Sequence, residues 1–231
     1  MKFLTFSLSL LFFTMIAKSQ SSFVRLSTSM GDITVVLYDE TPKHRDQFLQ
    51  NIKKGLFDKV QFNRVIKSFV CQGGELDDTI LNREKREPDV PIKRIPAEIV
   101  PSLVHKKGAL GMGRNDNPEK SSYFTQIYLV EGKIQTDAQL DAIEQKKGFK
   151  YSPQQRETYK TIGGIPRLDN DYTVFGEIVE GLNIAEAINA VATNKDDVPL
   201  NPVIFTPVIL TKKEAAKFRK KMKIKAPAAQ S

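Results

Sequence analysis

The chain has 231 residues, 40% apolar and 27% charged, with 14 Phe and 6 Tyr, the make-up of a globular domain with a substantial core. One cysteine excludes an intrachain disulfide and any multi-thiolate metal site, and two histidines, His44 and His105, argue against a His-rich one. The net charge of +8 is spread along the chain, without the aromatic-interleaved basic stripe of a nucleic-acid binder, so no nucleic-acid partner is expected.

In chain order, Lys2 precedes an apolar run, Phe3 to Ala17, that Ser and Thr interrupt and that is short for a bilayer span. Small residues at Ala17 and Ser19 complete a secretory-signal pattern with a cut before Gln20. The expectation is an exported protein, periplasmic or extracellular, with no stable membrane anchor. Its mature chain loses two lysines and no acid, leaving a net +6. No cysteine follows the run, which argues against lipoprotein processing.

Phe23–Ser27 and Ile33–Leu37 read as a hairpin with Gly31 in the turn. Thr41-Pro42 opens a helix with Thr as N-cap, Phe48, Leu49 and Ile52 form its buried stripe, and Gly55 closes it. Val60–Ile66 and Phe69–Gln72 read as strand, ended by Gly73-Gly74. Residues 75–103 carry four prolines and many charges and read as a long loop with at most one short strand. Gly108–Gly113 and Thr125–Val130 are strands, the second placing Gln126, Tyr128 and Val130 on one face.

Between Gly132 and Gly163 the pattern turns helical. Thr136 with Gln139, and Ser152 with Gln155, are two capping boxes, and Gly148 ends the first helix. The hairpin 133–162 is therefore locally self-consistent and is expected to be dispensable for action on short peptides. Val174–Val179 is a strand and Ile184–Val191 a helix. Val203–Leu210 is the closing strand, with Pro207 marking an edge or bulge. Lys212–Lys225 reads as a basic, solvated helix in a tail of residues 212–231. Many short strands and few helices make the fold mainly β, a barrel or a sandwich.

The segment Phe62-Asn63-Arg64-Val65-Ile66-Lys67-Ser68-Phe69-Val70-Cys71-Gln72-Gly73-Gly74-Glu75 resembles the signature of the cyclophilin family of peptidyl-prolyl cis-trans isomerases. Gly108–Gly113, Thr125–Leu129 and Leu168–Glu177 are similar to three further segments of that family, in the family's order. The resemblance runs over roughly residues 23–210, with 133–162 as an insertion. It implies an eight-stranded antiparallel barrel capped by two helices, acting on X-Pro bonds. It also implies Arg64 as the catalytic residue, and Phe69, Val70, Gln72, Gly113, Gln126, Tyr128, Leu168 and Tyr172 around the substrate. Tyr172 stands where many members have His. Arg167 or Pro166 stands where many have Trp, which implies weak binding of cyclosporin-class inhibitors.

The chemistry is consistent with those residue types. Rotation about an X-Pro amide breaks resonance but makes no bond, so no nucleophile, metal or cofactor is required. An apolar pocket for the ring and a fixed donor for the twisted amide suffice, and Arg64 is always charged and multidentate. The expected partners are proline-containing polypeptide clients, met by a monomer. The competing reading is a non-catalytic proline-segment binder or chaperone of the same fold. Cys71 reads as a buried small hydrophobe, and His105 as a loop or strand-end residue without a catalytic role.

Overall fold

The computed structural model describes residues 22–225; the expected signal segment, residues 1–19, lies outside them. Eight strands follow in chain order: β1 (Ser22–Thr28), β2 (Gly31–Leu37), β3 (Val60–Val65), β4 (Val70–Gly74), β5 (Ala109–Met112), β6 (Gln126–Val130), β7 (Val174–Glu180) and β8 (Ile204–Ile209). They close into a barrel in the order β1-β2-β7-β5-β6-β4-β3-β8, every pairing antiparallel. Six helices accompany them: α1 (Pro42–Lys53), α2 (Asp77–Arg86), α3 (Asp137–Lys147), α4 (Pro153–Thr161), α5 (Leu182–Asn189) and α6 (Lys212–Lys225).

Strand periodicity sorts the side chains into two sets. Val24, Leu26, Ile33, Val35, Leu37, Ile127 and Leu129 join Phe62, Phe175 and Phe205 in the main core. Their alternates on β4 and β6, namely Val70, Tyr128 and Val130, fall in a separate cluster with Leu168 and Val174, and Phe69 and Tyr172 pack against it. This second cluster is where the expected site residues lie. Helices α1 and α5 seal the main core through Phe48, Ala185 and Ile188. Phe48 meets Phe57 and Phe175 edge-on, at 5.2 and 5.6 Å between centroids.

The N-terminus of α1 is capped from a distance. Thr41 makes no side-chain cap, and its buried hydroxyl has no partner. Instead the Glu98 carboxylate accepts the backbone N–H groups of Lys43 and His44 at 3.0 and 2.9 Å. It also accepts from His44 Nδ1 at 2.7 Å, while His44 Nε2 meets the Ser122 hydroxyl at 3.0 Å. A carboxylate at a helix N-terminus satisfies orphan donors and opposes the dipole. Burial holds the His44 imidazole below its ordinary value, against the opposing pull of Glu98. The unfolded chain therefore takes up this proton more readily than the fold does. Stability is full above about pH 6.5 and falls as the pH drops below it, before the carboxylates titrate near pH 4. The urea midpoint is expected to fall between about pH 7 and pH 5, and to fall less in His44→Gln. A flat profile over that window would contradict this.

Three sequence expectations change and one holds. The stretch read as a loop at 75–103 contains α2, whose apolar residues are only the adjacent Ile80 and Leu81, with Ile80 alone buried, too little for periodicity to register. Pro207, read as an edge or bulge, does lie at a local edge: it faces Leu26 of β1 but stands beyond the last β3 rung, Val60↔Phe205, so its missing N–H breaks no ladder. The basic helix α6 is not simply solvated: Ala215 is buried, Phe218 and Met222 pack beside Phe23 and Leu210, and Phe218 stacks on Phe23 at 5.6 Å. Finally, the inserted hairpin of α3 and α4 carries both expected capping boxes but is not a detachable ornament. Leu140, Tyr151 and Tyr159 form their own buried cluster, which Val104, between α2 and β5, joins.

Candidate functional site

Arg64 stands on β3 directly opposite Gln72 of β4, just past a bulge at Phe62/Arg64. Its guanidinium donates to Gln72 Oε1 at 3.5 Å, and its Nε lies 3.9 Å from Asp197 Oδ2. With 40% of its side chain exposed, it is fixed on one side and open on the other. Phe69 closes the turn into β4, its N–H donating to Ile66 O, and Val70 begins that strand. Tyr128 faces outward from β6, and Leu168 closes a single 3-10 turn, Pro166–Leu168.

All nine residues expected from the sequence line one cavity of about 130 Å³: Arg64, Phe69, Val70, Gln72, Gly113, Gln126, Tyr128, Leu168 and Tyr172. Two more that sequence reading missed, Asp77 and Arg114, complete its wall. Asp77 begins α2 and accepts from Gln126 Nε2 at 2.6 Å; the same nitrogen donates to Glu75 O at 2.9 Å, which fixes the Gln126 amide. The acidic first turn Asp77-Asp78 and basic last turn Arg83, Lys85 and Arg86 were the available signal for that helix. Arg114 follows Gly113, donates to Asp171 O at 2.7 Å, and lies 4.7 Å over the Tyr172 ring. Tyr172 in turn meets Tyr128 edge-on at 6.3 Å.

Gly113 contributes by lacking a side chain. A Cβ there would stand 1.7 Å from Gln126 Oε1, and one at Gly111 would strike the Tyr128 ring. Backbone bonds engage both polar groups of Gly113: its N–H donates to Gln126 O, and its carbonyl accepts from Tyr123.

Beneath Tyr128 runs a buried polar chain. The Tyr128 hydroxyl meets His105 Nε2 at 2.9 Å, and His105 Nδ1 donates to Asp169 Oδ1 at 2.7 Å. The same carboxylate accepts the His105 backbone N–H at 2.8 Å and the Tyr151 hydroxyl at 2.7 Å, and it accepts the Tyr159 hydroxyl as well. His105 lies in the loop before β5, as expected, but it is fully buried, as is Tyr159. Burial raises the Tyr128, Tyr151 and Tyr159 phenols above their ordinary range, and Asp169 adds to this in each, so all three keep their protons. Cys71 faces the barrel core, its thiol pushed up to about 12 by burial, which leaves it inert. No group of three or more His, Cys, Asp or Glu side chains among the described residues could hold a metal ion.

The site is therefore a shallow aromatic pocket with one open guanidinium at its rim. The family model described as cyclophilin type peptidyl-prolyl cis-trans isomerase/CLD matches residues 23–208. A Streptococcus pyogenes protein named as a bifunctional phosphatase/peptidyl-prolyl cis-trans isomerase is 30% identical over 185 residues, 79% of this chain and 37% of its own length. The peptidyl-prolyl cis-trans isomerase-like 2 of Gibberella zeae is 26% identical over 202 residues, 87% of this chain and 28% of its own. The chain thus spans well under half the length of these two relatives. A Staphylococcus epidermidis protein named as a peptidyl-prolyl cis-trans isomerase is 29% identical over 79% of this chain and 88% of its own. The crystal structure of a Cryptosporidium parvum cyclophilin type isomerase shares the fold, with TM-score 0.59 and 19% identity over 83% of this chain and 99% of that one. On the match across residues 23–208, the chain belongs to the cyclophilin-type peptidyl-prolyl cis-trans isomerase family.

Proposed function

We propose that this chain catalyses rotation about X-Pro peptide bonds in polypeptide clients, with Arg64 as the catalytic residue. The observation that carries the reading is the half-open guanidinium beside an apolar pocket lined by Phe69, Val70, Tyr128 and Leu168. The uncatalysed bond turns over in tens to hundreds of seconds, so millisecond turnover needs about 10⁴–10⁵-fold help, or about 5.5–7 kcal/mol. The pocket holds the proline ring while the acyl side rotates. As the amide twists, its nitrogen regains a lone pair and the resonance is lost. A donor already in position stabilises that state more than the planar one. Gln72 lies 3.5 Å from the Arg64 guanidinium on its inner side, which leaves the outer side open to the twisting amide. Gln126, Gly113 and Tyr172 shape the groove along which the peptide lies.

Cis–trans exchange of a proline-containing tetrapeptide, followed by NMR, tests the reading. Exchange accelerated at micromolar protein supports it. Binding of the peptide without acceleration would sink it in favour of a proline-segment binding module. We further propose export to a periplasm or the cell exterior, supported by the signal-like pattern of residues 2–19. N-terminal sequencing of the protein recovered from culture fractions decides this: a start near Gln20 supports export, and intact Met1 in cytoplasm counts against it.

A further inference from the structure

Beside the proline pocket lies a second groove of about 430 Å³ that shares two of its walls, Arg64 and Phe69. Four cationic side chains line it, Arg64, Lys67, Lys133 and Arg167, and no carboxylate does. The acid nearest these cations is Asp197, 3.9 Å from Arg64. Among the described residues, no carboxylate lies within ion-pair distance of Lys67, Lys133 or Arg167. Three of the hairpin's other four lysines do find acids: Lys147 pairs with Asp171, Lys150 with Glu144 and Lys160 with Asp137. Arg167 is held with its charge 4.4 Å over the Phe69 ring, at the boundary between groove and pocket. The insertion supplies part of this groove, through Lys133, Gln135 and Ile143.

Resting on the proposed isomerase reading, we propose that this groove is a subsite for an acidic side chain lying within a few residues of the client's proline, and that the insertion builds one of its walls. An extended client advances about 3.3 Å per residue, so a chain whose proline fills the pocket continues into the adjoining groove. Four cations around an acid-free groove, three of them without an ion-pair partner, attract a carboxylate and disfavour a lysine. Arg167 resting on Phe69 places charge next to the ring that would hold the proline, so the effect acts on segments already engaged there.

The test uses labelled peptides with one Ala-Pro step and Glu, Gln or Lys placed one to three residues to either side. At low salt, the best Glu peptide is expected to surpass its Gln counterpart by about three- to tenfold in kcat/KM, mainly through KM, with Lys below both. At about 1 M salt, where the screening length is about 3 Å, the preference should vanish. The double substitution Lys67→Glu, Lys133→Glu should reverse the order and leave the Gln peptide within about twofold. Equal rates for Glu, Gln and Lys at every position, or displacement of the Glu peptide by a short oligonucleotide, would overturn the proposal. Fluorescence anisotropy of the same peptides separates the two readings: a Glu preference in binding without turnover keeps the subsite and removes the isomerase, and turnover without charge preference does the opposite.

Discussion

Arg64→Ala is expected to lower kcat/KM by about 10²–10³, or about 2.7–4 kcal/mol, the effect of removing one positioned donor from a sheltered site. If the guanidinium acts on the twisted amide, the loss falls on the chemical step and peptide affinity weakens less. Because the side chain is 40% exposed and its contacts with Gln72 and Asp197 are long, at 3.5 and 3.9 Å, its removal leaves no short buried bond broken. Circular dichroism and the urea midpoint should therefore stay near wild type. Arg64→Lys should recover little, since a point charge cannot donate to Gln72 and the substrate at once with the geometry of the planar fork. The wild-type rate should be nearly flat from about pH 6 to 9, because no side chain assigned to the step has an ordinary value in that range. A folded Arg64→Ala variant keeping more than about a third of wild-type activity would remove Arg64 from the mechanism, given what such donors contribute elsewhere.

Asp169→Ala is expected to be the most destabilising single substitution near the groove, at about 3–5 kcal/mol, because it removes the shared acceptor of a buried hydrogen-bond network. The Asp169 carboxylate accepts from the His105 backbone, His105 Nδ1, Tyr151 and Tyr159. Without it, the His105 backbone N–H, His105 Nδ1 and the Tyr159 hydroxyl lose their acceptor together, while Tyr151 keeps the Pro166 carbonyl at 3.0 Å. Each unmet buried donor costs about 1–3 kcal/mol before relaxation. Tyr159→Phe removes a donor and keeps the ring, so it should cost only about 1 kcal/mol. Excision of residues 133–162 would take away Leu140, Tyr151 and Tyr159 together, expose Val104, and leave two Asp169 bonds unmade. That variant should lose cooperative unfolding, in contrast to what its self-capped helices suggest. Urea and thermal unfolding of the three proteins provide the measurement. An Asp169→Ala midpoint within about 1 kcal/mol of wild type would show that the network does not carry this region.

The expected site residues were readable because they lie in a few short segments whose residue types and order are themselves the signal. The strand of Gln126, Tyr128 and Val130 was legible from alternation alone, and β6 does turn those three away from the main core. What the alternation could not say was which of the two apolar faces is the barrel interior. That requires knowing that β4 and β5 flank β6 and that the 3-10 turn with Leu168 covers its outer face. Asp77 and Arg114 were missed for a related reason. Each is an ordinary surface charge in sequence and reaches the cavity only because the chain folds back to set it beside Gln126 or Tyr172.

By itself the sequence determined the eight strands, the two capping boxes of the insertion, the family resemblance and the nine residues that come to line one cavity. Those signals sit between covalent neighbours: a period of two, an N-cap three residues from its partner, a motif of fourteen residues. Only the tertiary structure decided that Glu98 caps α1 from 54 residues away, that Asp169 reaches back 64 residues to His105, and that the insertion's tyrosines meet it there. A carboxylate that caps a helix or anchors a buried network has the same local sequence as one in solvent. Its role is fixed by which backbone N–H groups and hydroxyls would otherwise be buried unmet, and chain closure into the barrel alone settles that.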